Sequence, residues 1–178
     1  EAEQRVAIIG PNGIGKTTLM RCLAGELKPT AGRVTWVENA QPGYMPQDPQ
    51  AEFESKMDLF SWMSMWTGKA DDDQLVRATL GRLLFSGDET KKPVSVLSGG
   101  EKGRMMYGKL ILTKPNVMLM DEPTNHMDME TIESLQIGLE KYAGTLIFVS
   151  HHPEFGAGPA TRMIQPRPGW SVTHFTGS

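Results

Sequence analysis

The chain has 178 residues, 39% of them hydrophobic and 22% charged, with a formal net charge of −3. That is enough for one ordinary globular domain with its own core, and too apolar for a disordered segment. The negative balance argues against a free-standing nucleic-acid binder, whose affinity would come from many Lys and Arg on phosphates, though not against local contacts inside a larger assembly.

The lone cysteine, Cys22, excludes an internal disulfide and suits a reducing compartment. The sequence reads without a signal-peptide pattern and without an apolar run near the ~20 residues that cross a bilayer. The chain opens on EAEQRVAIIG without an initiator methionine and closes abruptly on THFTGS, so it reads as a fragment of a longer protein. RVAIIG predicts a short buried parallel strand. GPNGIGKTT (10–18) then satisfies G-x-x-x-x-G-K-[ST], after a strand and ahead of a helix predicted from Lys16 to about Ala24. Glycines let the backbone wrap phosphates closely. Lys16 offers charge to the β- and γ-phosphates, and the Thr17 hydroxyl can ligate Mg²⁺.

GRVTWV reads as a second strand, and PGYMPQD as a strand end running into a loop that carries Gln47. From Phe53 the texture changes. DLFSWMSMW and DDDQLVRATLGRLLF predict helices, the second with an acidic first turn and with Leu75, Val76, Thr79, Leu80 and Leu83 on one apolar face. Residues 53–98 therefore read as a small inserted helical subdomain. Met63, Met65, Met105 and Met106 suit an adaptable core. A further helix is predicted from Gly99 to about Leu112. Its opening, Ser98-Gly99-Gly100 within SVLSGGEKGRMM, has the free N–H groups that attract anions, although the chain already holds one phosphate cradle.

NVMLMDE predicts an apolar strand ending on two acids. Successive strand residues alternate faces, so Asp121 and Glu122 take different tasks. Asp121 suits Mg²⁺, while Glu122 would point to the γ-phosphate and polarise the attacking water. METIESLQIGLEKY predicts a helix with Ile132, Leu135, Leu139 and Tyr142 on one face, and GTLIFVS a strand leading to His151. Gln47 and His151 are candidate γ-phosphate sensors: Gln47 can reach Mg²⁺ or the water, and His151 can donate to the phosphate. His151-His152 lacks the spaced ligand set that zinc needs. FGAGPATRMIQPRPGW (155–170) reads as the least regular stretch, and WSVTHF as an edge strand. The alternation predicts an α/β fold, a mostly parallel sheet with helices on both faces.

Taken in order, these motifs resemble those of an ATP-binding-cassette (ABC) ATPase domain, over residues 5 to 151. The match runs through the Walker A loop (Gly10, Pro11, Asn12, Gly13, Ile14, Gly15, Lys16, Thr17, Thr18), the Gln loop, the LSGGE signature, the Walker B strand, the D-loop and the switch histidine. The resemblance implies a P-loop NTPase fold of the RecA-like kind across 1–178, with ATP and Mg²⁺ as cofactors. It implies Thr17, Gln47 and Asp121 on the metal, and Glu122, Gln47 and His151 in hydrolysis. It also implies a second cassette, paired head to tail with ATP sandwiched between the two. Ser98, Gly99, Gly100 and Glu101, with Asp128 of the D-loop, would then serve the partner's ATP. The resemblance thus assigns the second cradle to the partner's phosphate.

DEPTNHMD is similar to the DEPTNHLD of the F subfamily (ABC-F), twin-cassette ATPases that act on ribosomes. LGRLLFSGDETKKPVSVLSGGEKGR and LEKYAGTLIFVSH resemble the second cassette of its YbiT-like branch. This implies a cytoplasmic translation factor that meets the ribosome and its RNA through the parent protein, with no direct membrane contact. The alternative is the ATPase subunit of a membrane transporter. A DNA-repair cassette would need a long coiled coil that residues 50 to 97 cannot contain, and Lys16, Asp121 and Glu122 all stand against a non-hydrolysing scaffold. The chain departs from the family at His151-His152-Pro153-Glu154-Phe155, where relatives continue SHD-R-x-F, and at Met127, usually leucine. Gly156, Gly158 and Pro159 should weaken the helix expected there. These residues also hold no upstream aromatic of the kind that stacks on adenine.

Overall fold

The computed structural model describes residues 4–68, 72–150, 161–166 and 172–176. The chain divides into two compact units: Glu1–Gln47 with Pro115–Pro123 and Ser134–Ser178, and Asp48–Lys114 with Thr124–Glu133.

The first unit is a sheet of six strands: β1 (Arg5–Ile8), β2 (Pro42–Met45), β3 (Val117–Asp121), β4 (Thr145–Val149), β5 (Arg162–Pro166) and β6 (Val172–Thr176). Their order is β2-β3-β4-β1-β5-β6; the first five are parallel and β6 runs antiparallel to β5 at the edge. All five residues of β3 are buried, as a continuous apolar run demands of an interior parallel strand. Helix α1 (Lys16–Leu23) lays Met20 into a core of Ile8, Val117, Leu119 and Val149.

The register places the chemistry. Val149 on β4 stands opposite Ile8 on β1 and also opposite Asp121 on β3. The loop after β1 and the acids after β3 therefore open at the same carboxyl edge of the sheet, where open α/β folds bind ligands.

Two strand expectations are corrected. GRVTWV forms no strand: Val34 and Val37 are exposed, and only Trp36 turns inward, its Nε1 donating to Leu23 O at 3.1 Å. β-branched residues make a strand only where a neighbour supplies the ladder. Conversely, the Gly/Pro-rich 155–170 contains β5. Val6 pairs with Arg162 and Ile8 with Ile164, and Ile9 N donates to Ile164 O at 2.9 Å. The WSVTHF expectation is met by β6.

The second unit carries α2 (Leu59–Ser64), α3 (Asp73–Arg82) and α4 (Gly99–Thr113). Asp58 caps α2, accepting from Ser61 N at 2.7 Å. Val76, Thr79, Leu80 and Leu83 are buried as the periodicity predicts, but Leu75 is exposed, lying beyond the edge of that stripe. Met63, Met105 and Met106 are fully buried, whereas Met65, at the end of α2, is half exposed. At Gly108 a Cβ would stand 2.6 Å from both Leu83 Cδ1 and Met63 Cε, so the glycine lets α4 pack this closely. Helix α5 (Met129–Glu140) starts from Asp128, which accepts from Thr131 N at 2.8 Å, and buries Leu135 and Leu139. Tyr142 lies past its end, its hydroxyl donating to Pro115 O at 2.6 Å. Among the described residues, no helix is long and apolar enough to cross a membrane.

Candidate active site

Between β1 and α1 the chain must turn sharply and expose its amides. Gly13 and Gly15 take φ of 82° and 102°, a left-handed backbone that costs a side-chain-bearing residue about 1–2 kcal/mol. Helix α1 begins immediately after Gly15 with no side-chain cap and no acid in its first turn. Its leading N–H groups and the positive end of its dipole are thus left for an anion. Lys16 is buried, and its Nζ donates to Gly10 O across the loop.

The loop opens onto a cleft of about 330 Å³ lined by Asn12, Gly13, Gly15, Lys16, Thr17, Thr18, Gln47, Asp121, Glu122 and Val149. Of the expected residues, Gly10, Pro11 and Ile14 shape the loop without lining the cleft. Asp121 is fully buried, and neither of its carboxylate oxygens has a hydrogen-bond partner. Burial pushes its pKa up; the Thr17 hydroxyl beside it and the charge of Lys16 draw it partly back. The same surroundings push Tyr44 on β2 up to about 12, through burial first and the Asp121 charge second. A buried carboxylate held without a partner is costly unless something arrives to meet it.

Thr17 donates to Gln47 Oε1 at 3.3 Å. With Asp121 this gathers a hydroxyl, an amide oxygen and an orphaned carboxylate, the hard oxygen donors that suit Mg²⁺. The residues present therefore fit a Mg²⁺-triphosphate: the loop amides and Lys16 for the phosphates, and Thr17, Gln47 and Asp121 for the metal.

Glu122 does not continue β3. Its φ is 49°, and its N–H donates to Val149 O at 2.8 Å. The separation from Asp121 is thus made by a left-handed turn and not by the expected strand alternation alone, and both acids line the cleft. Non-glycine residues in this region mark strain that the surrounding structure must hold. Val149 was not singled out by the sequence; its part is the carbonyl that pins Glu122, and only the register reveals it.

Ser98, Gly99, Gly100 and Glu101 lie in the second unit. Ser98 is the N-cap of α4, and Gly99 and Gly100 lie under the loop that carries His126. Asp128 is exposed; the Thr131 hydroxyl beside it and the hydrogen bond from the Thr131 N–H hold its carboxyl below the usual range. His151 lies outside the described residues, as does 156–159, where a weakened helix was expected.

A glycine-rich loop joining the first strand to a lysine-led helix, faced by acids at the end of a neighbouring parallel strand, defines a P-loop nucleoside-triphosphate-binding domain. The "ABC transporter" family model matches residues 1–125. YbiT of Escherichia coli O157:H7, an ATP-binding protein by name, is 54% identical over 178 residues, all of this chain and 33% of that protein. ABC transporter F family member 2 of Arabidopsis thaliana is 39% identical over 173 residues, 95% of this chain and 25% of that protein. Among solved structures, an archaeal ribosome recycling factor in complex with a ribosomal stalk protein superposes with a TM-score of 0.73 at 26% identity, covering 96% of this chain and 34% of that one. The chain belongs to the ABC family of ATP-hydrolysing cassette domains, and its relatives place it with the F-subfamily members. It spans between a quarter and about a third of the length of these relatives.

Proposed function

We propose that the chain is the ATP-binding and ATP-hydrolysing cassette of an ABC-F protein that acts on the ribosome in translation. ATP is held between this cassette and a second one. The observation that carries the catalytic part is Asp121: a fully buried carboxylate, unpartnered, beside Thr17 and Lys16 at the mouth of an uncapped helix.

ATP brings the phosphoanhydride bond that breaks, and Mg²⁺ the charge that offsets its phosphates. The chain's own residues do the rest. The loop amides and α1 dipole bind and orient the triphosphate, Lys16 offsets part of its charge, and Thr17, Gln47 and Asp121 would hold the metal. Glu122, fixed by its turn, takes the proton of the attacking water. Asp121, fully buried and committed to the metal, is poorly placed to act as that base. His151 completes the set as donor to the γ-phosphate.

The ribosomal assignment is supported by the F-family relatives and by the likeness to a ribosome recycling factor. It places the parent protein in the cytoplasm, with RNA contact made by parts other than this cassette. Glu122→Gln should leave ATP binding nearly intact and cut turnover at least ~100-fold, as loss of a positioned base does. Turnover within about threefold of the parent would sink the assignment. In the full-length protein the same substitution should trap the ATP form on ribosomes in co-sedimentation at physiological salt. This chain alone, at net charge −3, should stay in the supernatant.

A further inference from the structure

The signature helix carries an acid in its first turn. Glu101 Oε1 accepts from Ser98 N at 3.0 Å, and Ser98 Oγ accepts from Glu101 N at 3.3 Å, a capping box. That arrangement stabilises the start of α4. It also places a carboxylate one hydrogen bond from the serine that is to meet a partner's phosphate, and two anions at such range repel.

Lys92 removes the conflict. Its Nζ lies 2.5 Å from Glu101 Oε2, with the two side chains only 29% and 19% exposed. The carboxylate is thereby divided, one oxygen on the Ser98 amide and the other on the ammonium. Lys92 is itself anchored: its carbonyl accepts from Leu59 N at 3.2 Å, and the next residue, Pro93, bridges Asp58 at the cap of α2. Its ammonium also stands 5.8 Å from the centre of the Phe85 ring. The Glu101 carboxyl is held below its usual range: burial works against this, and Lys92 with the Ser98 hydroxyl and N–H overcomes it.

We propose that Lys92 is a positioning residue of the composite site: it cancels the charge of Glu101 and pins it to Ser98, so that the start of α4 can receive a second cassette's triphosphate. This rests on the two-cassette reading above. No sequence motif marks Lys92; only the structure brings it to the signature.

The test is ATP-driven pairing of the Glu122→Gln chain, measured by sedimentation at high protein concentration with and without Mg-ATP. Calorimetry reports nucleotide binding to the monomer. Lys92→Met should weaken pairing roughly tenfold or more through the uncovered carboxylate, with nucleotide affinity of the monomer unchanged. Lys92→Arg should keep pairing. Adding Glu101→Gln to Lys92→Met should restore it to within about threefold, because the amide still accepts from Ser98 but bears no charge. Unchanged pairing in Lys92→Met, or no rescue in the double variant, overturns the proposal, the latter showing that packing and not charge was lost. If Lys92→Met does not fold by circular dichroism, Glu101→Gln alone decides. It should tighten pairing by leaving Lys92 unopposed, and weaker pairing overturns the proposal. If the Glu122→Gln background itself never pairs with Mg-ATP, the two-cassette reading fails and this inference falls with it. Pairing in the background with no Lys92 effect defeats this inference alone.

Discussion

At the start of α1, Gly13 has a φ of 82°, and beyond its own chain neighbours no atom lies within 4 Å of where its Cβ would stand. At the start of α4, Gly100 lies in the helix, and a Cβ there would meet the His126 carbonyl oxygen at 2.7 Å. The first glycine is needed for a backbone shape that leaves space open. The second is needed because the chain's own backbone already fills the space. The helix ends differ in the same sense. No side chain caps α1, whereas Ser98 and Glu101 cap α4 reciprocally. Two stretches that look alike in sequence are thus one site held open for a ligand and one surface first organised by its own unit. A phosphate cradle is recognised by what its amides lack, not by its glycines.

The sharpest way to break this comparison is to exchange the damage. Ser98→Arg, in the Glu122→Gln background, should bind Mg-ATP normally and fail to pair at any concentration tested by ultracentrifugation. Loss of nucleotide binding by this monomer would mean that both cradles serve one site. Lys16→Ala should instead lose the charge-assisted phosphate contact, about 1.5–3 kcal/mol or roughly 10- to 100-fold in affinity by calorimetry, and pairing with it. Unchanged affinity would remove Lys16 from the site.

Smaller effects sharpen the contrast between the glycines. Gly100→Ala should cost about 2 kcal/mol in a denaturant melt, because the obstacle is a backbone carbonyl that cannot swing away. Gly13→Ala should cost nearer 1 kcal/mol, all of it from the left-handed φ, while still impairing ATP binding. Equal costs would mean that the two glycines answer one need.

The smallest effect is expected at Asp121. Its pKa is raised in the folded protein by burial, so between the unfolded value and the folded one the native state binds more protons. Stability therefore falls as pH rises through that window, and the charged form is penalised at neutral pH. Asp121→Asn should melt higher than the parent without nucleotide, and the gap should close below about pH 4, where both states are protonated. The variant should also lose the stabilisation that Mg-ATP gives the parent. A lower melting temperature at neutral pH would contradict the view that this carboxylate is kept for the metal at the expense of the fold.

Local order carried most of this molecule. The P-loop is legible because its glycines, Lys16 and Thr17 occupy one continuous turn whose shape needs no distant partner. The helices read correctly where an apolar face and a cap are both local, as at Asp58 and Ser98. Reading failed where the answer lay elsewhere in the chain. GRVTWV has the composition of a strand and no ladder to join, while RMIQP, among prolines and glycines, becomes β5 because β1 offers it an edge.

Sequence by itself determined the family and the order of the motifs, since these are set by spacing along one backbone. Tertiary structure alone decided that Val149 stands opposite both Ile8 and Asp121, that its carbonyl holds Glu122 in a left-handed turn, and that Lys92 reaches Glu101. Strand register and ion pairs join residues far apart along the chain, and no local propensity encodes which distant partner a backbone carbonyl or a charged group will meet.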